Sequence, residues 1–235
     1  MIKKIISCIP NTITCLNLLS GAMAVILSFH LTESYCGLSA LSLAFIFIGA
    51  AAVFDFCDGA AARLLKAYSA MGKELDSLSD LVSFGLAPSM LIFNTMQLYG
   101  DGAWSFAALF IPAMGALRLA KFNIDDRQTT SFLGLPIPAN AIFWVGALSW
   151  FNSYVYPSTW VMIVLIAVTG LLMVSNIPMF SLKFKNFAFV ENLRRYILIL
   201  ATVIFVIGYG VAGLAWTIVF YLVLSLIPER KAVND

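Results

Sequence analysis

Two closely spaced pairs of aspartates are the residues in this chain best suited to do chemistry. Asp55 and Asp58 are three positions apart, and Asp76 and Asp80 are four positions apart, so each pair shares one face if the chain is helical there. The connection through residues 66–72 is short, which makes the two helices antiparallel neighbours and brings the pairs together. Converging carboxylates suit hard cations, and we expect two divalent ions, Mg²⁺ or Mn²⁺. Two such ions are a recurring device for displacement at phosphorus.

Small and basic residues beside the aspartates favour the same interpretation. Gly59 and Gly72 would let a ligand or a backbone segment approach closely. Arg63 lies one turn beyond Gly59, where its guanidinium would hold a phosphate. Ion pairing between helices is the structural alternative, and it would explain one pair of membrane-embedded acids more readily than two pairs.

The elements that must hold these residues are predicted to cross a membrane. Of the 235 residues, 61% are hydrophobic and only 11% are charged, against about 25% charged in an average soluble domain. This composition excludes an ordinary soluble enzyme, a disordered chain and a nucleic-acid-binding protein with a broad basic face. Runs of about 20 apolar residues predict about eight transmembrane helices. They lie at residues 11–31, 37–65, 73–98, 103–122, 137–155, 159–177, 195–209 and 211–227.

The basic residues predict the orientation of these helices. If the N-terminus lies in the cytosol, all 14 Lys and Arg residues fall in inner segments. None falls in the outer loops near residues 32–36, 99–102, 152–158 and 209, as the positive-inside rule requires. Both termini and the acidic site then face the cytosol, and we expect a prokaryotic cytoplasmic membrane. Residues 1–9, in which Lys3 and Lys4 lie beside Ile2, Ile5 and Ile6, are predicted to form an amphipathic segment on the membrane surface.

Residues 55–80 resemble the signature of a known enzyme family. They read D-F-C-D-G-A-A-A-R-L-L-K-A-Y-S-A-M-G-K-E-L-D-S-L-S-D, and the CDP-alcohol phosphotransferases have the signature D-x2-D-G-x2-A-R-x8-G-x3-D-x3-D. Every defined position of the signature matches. The matching residues are Asp55, Asp58, Gly59, Ala62, Arg63, Gly72, Asp76 and Asp80.

The resemblance implies a role for each of these residues. It makes Asp55, Asp58 and Asp76 metal ligands, and it makes Asp80 both a ligand and the base that takes the proton of the acceptor hydroxyl. Contacts with the CDP-diacylglycerol donor are implied for Gly59, Arg63, Gly72 and for Ser69, whose hydroxyl lies in the turn between the two helices.

The resemblance also implies an architecture, which is a homodimer with six transmembrane helices around a site open to the cytosol. We therefore expect an all-α integral membrane protein with a single membrane domain, 1–235. The surface segment is followed by the six-helix core at 10–177. Residues 178–235 then contain a basic cytosolic loop, a two-helix hairpin that turns at Gly208-Tyr209-Gly210, and a short tail.

Three further segments are similar to those of the type II phosphatidylserine synthases within this family. Residues 9–17 (I-P-N-T-I-T-C-L-N) resemble the opening of those enzymes and imply donor contacts for Asn11 and Thr14. Residues 118–123 (R-L-A-K-F-N) and 132–138 (F-L-G-L-P-I-P) resemble two of their later motifs. The similarity favours serine as the acceptor alcohol.

The chemistry of serine gives a second reason to examine the same segment. Serine carries a carboxylate, and Arg118, near the cytosolic end of the fourth predicted helix, offers it a bidentate fork. Lys121 is the second candidate, and Asn123 would hold either the loop or the amino acid. Basic residues at an inner helix end also commonly extend to lipid phosphates, so this alternative stays open.

The predicted function is the synthesis of phosphatidylserine. The phosphatidyl group of CDP-diacylglycerol passes to the hydroxyl of L-serine in one metal-dependent displacement, and CMP leaves. The expected partners are the two substrates, membrane lipids and a second copy of the chain, and no nucleic acid. Glycerol 3-phosphate or an inositol phosphate is the alternative acceptor. A divalent-cation transporter is the alternative of a different class.

Overall fold

Helices lie at all of the predicted positions in the computed structural model, which describes residues 2–124, 132–180 and 192–227. They are α1 (Ile2–Ser28), α2 (Ala40–Leu64), α3 (Ala70–Asp80), α4 (Ala87–Leu98), α5 (Phe110–Ile124), α6 (Ile137–Ser153), α7 (Thr159–Val174), α8 (Leu193–Tyr209) and α9 (Gly213–Leu226). A π-helical turn, Leu81–Leu86, joins α3 to α4, and 3-10 turns precede α5 (Gly102–Leu109) and α9 (Gly210–Ala212). Two short antiparallel pairs join β1 (Ser34–Tyr35) to β2 (Leu38–Ser39) and β3 (Phe132–Leu133) to β4 (Pro178–Met179).

Several of these segments satisfy the length and hydropathy of a membrane span. In the described part of the chain they are Cys8–Ser28, Ala40–Leu64, Ala70–Leu98, Gly102–Ile124 and Leu193–Leu226, and α7 is a shorter apolar helix. The prediction of an all-α integral membrane protein is confirmed. Residues 2–9 form the first turns of α1. That residues 1–9 lie on the membrane surface stays a prediction. The basic residues outside the described ranges are Arg127, Lys183, Lys185, Arg230 and Lys231.

The last long segment is a hairpin, as predicted from its glycines. α8 ends at Tyr209, and Gly210 adopts a positive φ of 60° that a residue with a Cβ rarely takes. Phe205 and Phe220 then face each other across the hairpin, with their ring centroids 6.3 Å apart. Gly213 lies directly against the backbone of Phe205, where there is no room for a side chain. α9 packs against α6 as well as against α8.

The predicted outer loops meet at one end of the bundle. Tyr99 stacks on Tyr156 with 3.9 Å between ring centroids. The Asp101 carboxylate accepts hydrogen bonds from the hydroxyls of Tyr156 and Thr159. Burial, together with the hydrogen bond to Asp101, raises the pKa of Tyr156 above its ordinary value, so this phenol stays a donor. These contacts fix the end of the bundle opposite to the aspartates.

The β3–β4 pair fixes the other end and was not predicted. It joins the segment that follows α5 to the segment that follows α7. Gly134 has a φ of +76°, and a Cβ there would overlap the Met173 carbonyl at the end of α7. Leu135 N–H donates to the Leu172 carbonyl at 2.9 Å. A glycine and a tight turn in the 132–138 motif therefore hold the base of α6 against α7.

Candidate active site

The turn between α2 and α3 brings the two aspartate pairs together. α2 ends at Leu64, and Lys66 reverses the chain with a positive φ of 49°. Ser69 then caps α3, because its hydroxyl oxygen accepts a hydrogen bond from Gly72 N–H at 2.9 Å. The two helices run side by side from this turn, so that residues before it on α2 lie beside residues after it on α3.

Three of the four aspartates form one compact group, which we call the aspartate cluster. Carboxylate oxygens of Asp55, Asp76 and Asp80 all lie within 4.8 Å of one another. Among the described residues, no Lys or Arg forms an ion pair with Asp76 or Asp80. Carboxylates this close repel one another unless protons or cations neutralise them, and oxygen ligands at this separation suit a divalent cation.

The fourth aspartate lies next to this cluster but is not part of it. Asp58 is 5% exposed, and its carboxylate interacts with that of Asp76 and with the Thr14 hydroxyl of α1. Its second oxygen, Oδ2, has no hydrogen-bond partner among the described residues. A buried carboxylate oxygen without a partner is costly, and a bound cation would satisfy it. The carboxylate oxygens of the four aspartates therefore fit divalent metal ions.

Asp80 is held from the side by α1. Asn17 is completely buried, and its Nδ2 donates to Asp80 Oδ1 at 3.4 Å. The Asn17 backbone carbonyl accepts a hydrogen bond from the Ser83 hydroxyl at 2.9 Å. Gly21, one turn further along α1, leaves no space between its Cα and Ser83. Sequence reasoning did not find this role of Asn17, because a contact between residues 17 and 80 leaves no local pattern.

A π-helical turn follows Asp80 directly. Ala87 N–H donates to the Val82 carbonyl, so the chain between them makes a wider turn than an α-helix. The turn presents the buried side chains of Ser83 and Phe84 toward the core. Such turns are frequent at functional sites, and here one lies between Asp80 and the close contact of Ser83 with α1.

A cavity of about 530 Å³ opens beside the aspartates, between α1, α2 and the start of α3. Most residues predicted to contact the donor line it. These are Asn11, Thr14, Gly59, Ser69 and Gly72, and they are joined by Asp58 and Asp76. Arg63 is exposed at the end of α2, and its Nη1 lies 3.7 Å from where a Cβ on Gly59 would stand.

The lining of this cavity has little room for larger residues. A Cβ on Gly72 would lie 3.0 Å from Ser69 Oγ and 3.2 Å from Asn11 Oδ1. Gly72 therefore lets the serine that caps α3 and the asparagine of α1 come together on one wall. Both side chains offer hydrogen bonds at the helix N-terminus, a place that favours anionic groups such as phosphate.

Arg118, on α5, lies near the aspartate cluster and does not line the cavity. Its side chain is 9% exposed, and its guanidinium carbon lies 5.4 Å from the centre of the Phe122 ring. Its charge interacts with that of Asp80. It makes no hydrogen bond with any residue of the described ranges. A buried guanidinium whose N–H groups lack acceptors is suited to receive an anion.

The two other predicted serine-binding residues have partners within the protein. Lys121 Nζ donates to Asn176 Oδ1 at 2.8 Å, which ties α5 to the segment after α7. Asn123 Nδ2 donates to the Ser77 hydroxyl at 2.9 Å, and the Asn123 carbonyl accepts from Lys73 Nζ at 3.0 Å. Asn123 thus holds the end of α5 against α3. Serine binding by either residue stays a prediction.

Comparisons with known proteins agree with this geometry. The sequence model described as CDP-alcohol phosphatidyltransferase matches residues 7–174. The chain is 36% identical over 194 residues to the CDP-diacylglycerol–serine O-phosphatidyltransferase of Methanocaldococcus jannaschii, covering 82% of this chain and 84% of that protein. It is 32% identical over 225 residues to the protein of the same name from Helicobacter pylori, covering 93% and 89%.

A third relative is longer than this chain. The protein of the same name from Mycobacterium leprae is 35% identical over 181 residues, which cover 73% of this chain but only 57% of that protein. The segment that the family model matches, residues 7–174, contains the aspartate motif, the cavity lining and Arg118. The chain therefore belongs to the CDP-alcohol phosphatidyltransferase family.

Proposed function

We propose that the protein is a CDP-diacylglycerol–serine O-phosphatidyltransferase, which transfers the phosphatidyl group of CDP-diacylglycerol to the hydroxyl of L-serine and releases CMP. One observation carries the proposal. The aspartate cluster shares Asp76 with the lining of a cavity formed by the donor-motif residues, and the buried Arg118, which has no hydrogen-bond acceptor in the described ranges, interacts with Asp80 of the same cluster. The names of the relatives support the same activity.

The donor would occupy the cavity, with its acyl chains in the surrounding lipid. Asn11 and Ser69 offer hydrogen bonds to the nucleotide from one wall, and Gly59 and Gly72 leave space for it. Thr14 lies deeper, next to Asp58. Arg63, at the exposed end of α2, is within reach of a phosphate at Gly59 and would hold the cytidylate phosphate.

The family uses divalent metal ions, and we infer that Asp55, Asp58, Asp76 and Asp80 hold two of them, Mg²⁺ or Mn²⁺. The ligands would be the three clustered carboxylates and the buried Oδ2 of Asp58. When bound, such ions neutralise the diphosphate and stabilise the charge on the attacking and leaving oxygens.

The side chains around the cluster have separate roles in acceptor binding, proton transfer and release of CMP. Arg118 binds the carboxylate of serine and thereby places its hydroxyl toward the aspartates. Asp80 accepts the hydroxyl proton as that oxygen forms a bond to the lipid-side phosphorus, and the bond from this phosphorus to the CMP oxygen breaks. Asn17 keeps Asp80 in position through Oδ1, which leaves its other carboxylate oxygen for the proton. Arg63 stays with the phosphate of CMP as it leaves.

The site would open to the cytosol, where serine and CMP are soluble. This orientation places both termini on the cytosolic side of a prokaryotic cytoplasmic membrane, as the basic residues predict. The loops at the opposite end, around Asp101 and Tyr156, would face the outside. A homodimer is part of the same proposal.

An acceptor panel tests the function. Purified protein receives CDP-diacylglycerol, Mg²⁺ or Mn²⁺, and one alcohol at a time, and CMP release is measured. The proposal requires release with L-serine and not with glycerol 3-phosphate or an inositol phosphate. Release with one of these phosphates and not with serine would identify a different acceptor. No release with any alcohol would refute the transferase activity.

A further inference from the structure

A single lysine lies among the described residues that line the cavity beside the aspartates. Of these lining residues, only Lys73 carries a positive charge, whereas Asp58 and Asp76 carry negative charges. Arg63, at the exposed end of α2, is not part of the lining. A diphosphate that enters the cavity would therefore meet one cationic side chain in its described walls, the ammonium of Lys73.

Lys73 lies close to the aspartates on α3. It precedes Asp76 by three residues, so the two side chains are neighbours on one face of the helix. Lys73 is one turn nearer the connection between α2 and α3, and its side chain is exposed. In the part of the chain that the structure describes, it forms no ion pair with a carboxylate. Its charge is therefore available to a ligand in the cavity.

The ammonium of Lys73 is held in place by α5. Its Nζ donates a hydrogen bond to the Asn123 backbone carbonyl, in the last turn of that helix, at 3.0 Å. An ammonium has three N–H donors and no acceptor, so this bond leaves two donors for the oxygens of a ligand. Phosphate oxygens suit them, because a lysine binds phosphate as a compact point charge.

A purely structural role for Lys73 would be to join α3 to α5, since cations near a helix C-terminus interact favourably with its last carbonyls. The structure contains another such contact one turn further along α3. There, Asn123 Nδ2 donates to the Ser77 hydroxyl at 2.9 Å. The contact between the two helices therefore has a neutral component, and it does not account for a cation in the cavity wall.

We propose that Lys73 binds the diphosphate of CDP-diacylglycerol, with two N–H groups on phosphate oxygens and the third on the Asn123 carbonyl. The inference rests on the proposed function, because that function makes CDP-diacylglycerol the occupant of the cavity. It deepens that function by adding a donor-binding residue at a position that the signature of residues 55–80 leaves undefined. The diphosphate then has a cationic partner on α3 in addition to Arg63 on α2.

The test compares Lys73→Gln with Lys66→Gln, which removes the same charge from the connection between α2 and α3. Lys66 is exposed and does not line the cavity. Steady-state CMP release is measured with each substrate varied at saturating levels of the other, and with CDP as a competitive inhibitor. We expect Lys73→Gln to raise the KM for the donor and the inhibition constant of CDP about tenfold, the effect of one charge-assisted hydrogen bond. The KM for serine should stay within about twofold, and Lys66→Gln should behave as the wild type.

Two further variants separate the charge from the contact between α3 and α5. Lys73→Arg keeps a cation, and its donor KM should stay within about threefold of the wild type. Ser77→Ala removes the hydrogen bond from Asn123 and keeps the ammonium, so its donor KM should stay within about twofold. Thermal unfolding without ligand reports that each variant is folded. An unchanged donor KM in Lys73→Gln, an equal rise in Lys66→Gln or Ser77→Ala, or a rise confined to serine would overturn the inference.

The result is distinguishable from a failure of the proposed function. A wild type that releases CMP with serine, while Lys73→Gln matches it for the donor and for CDP, refutes only the role of Lys73. A wild type without serine-dependent CMP release refutes the proposed function. Calorimetric titration with CDP and Mg²⁺ then still decides the role of Lys73. Binding about tenfold weaker in Lys73→Gln supports it, and equal binding, or no binding to the wild type, refutes it.

Discussion

Replacing Arg118 with alanine is the most informative single substitution, because the structure separates this side chain from the donor cavity. Arg118 lies on α5 and does not line the cavity between α1, α2 and α3. Arg118→Ala should therefore weaken serine binding and leave donor binding nearly unchanged. A transferase that used Arg118 only to hold lipid phosphates would respond differently, since the lipid donor would then be affected.

The size of the effect follows from the environment of the guanidinium. It is 9% exposed and has no hydrogen-bond acceptor among the residues of the described ranges. A carboxylate bound bidentately would gain two charge-assisted hydrogen bonds, each contributing about 1.5–3 kcal/mol. Water that enters the space left by alanine compensates for part of this hydrogen-bond free energy, so we expect a net loss of about 3 kcal/mol in the binding of serine. That corresponds to about a 150-fold fall in kcat/KM for serine.

The assay is CMP release with serine and donor varied in turn. The loss should appear mainly as a higher KM for serine, because the carboxylate contact is the same in the ground state and the transition state. Arg118→Lys should lie between the wild type and Arg118→Ala, since an ammonium keeps the charge but not the fork. Lys121→Ala is the comparison on the same helix, and its ammonium already donates to Asn176. We expect it to change the serine KM less than about threefold.

Two results would refute this reasoning. An equal rise in the KM for serine and for CDP-diacylglycerol would show that Arg118 does not serve the acceptor alone. A larger effect of Lys121→Ala than of Arg118→Ala would move the carboxylate site to the end of α5. In both cases, protection against thermal unfolding by the donor shows whether the variants are folded.

Three other predictions follow from the site. Asp80→Asn should lower kcat about 10²–10⁴-fold without loss of donor binding, because it removes a general base. Glu74→Gln on the same helix should leave kcat unchanged, and normal turnover of Asp80→Asn would exclude Asp80 as the base. Gly72→Ala should raise the KM for CDP-diacylglycerol several-fold, because its Cβ would crowd Ser69 and Asn11, whereas Gly49→Ala, with no atom within 4 Å, should not; equal KM values would contradict a donor contact at this wall. Removal of divalent cations with EDTA should abolish CMP release, and Mg²⁺ or Mn²⁺ should restore it; activity that persists in EDTA would rule out the metal role of the aspartate cluster.

Spacing along the chain was enough to predict the parts of the site that lie on neighbouring helices. A short turn joins the helices that carry Asp55 and Asp58, and Asp76 and Asp80. The period of the helix and the length of this connection therefore place the two pairs side by side. The apolar runs likewise predict the helices, and the pair of glycines predicts the C-terminal hairpin. In each case the signal is local, which is the kind of information that a pattern in sequence contains.

The remaining features depend on packing between distant segments. Asn17 reaches Asp80 from 63 positions away, and Tyr221 reaches the Phe180 carbonyl from 41 positions away. No periodicity connects such residues. The separation of Asp58 from the three clustered carboxylates was also not predicted, because it depends on the distances between α1, α2 and α3 and not on the spacing within the motif.

The central claim, direct transfer of the phosphatidyl group to the serine hydroxyl, is tested most directly with an isotope. L-Serine labelled with ¹⁸O in its side-chain hydroxyl is supplied with CDP-diacylglycerol, and both products are analysed by mass spectrometry. If the serine oxygen attacks the lipid-side phosphorus, phosphatidylserine carries the full label and CMP, formed in equal amount, carries none. Label in CMP, or a labelled serine that is not incorporated into lipid while CMP is released, would contradict the claim.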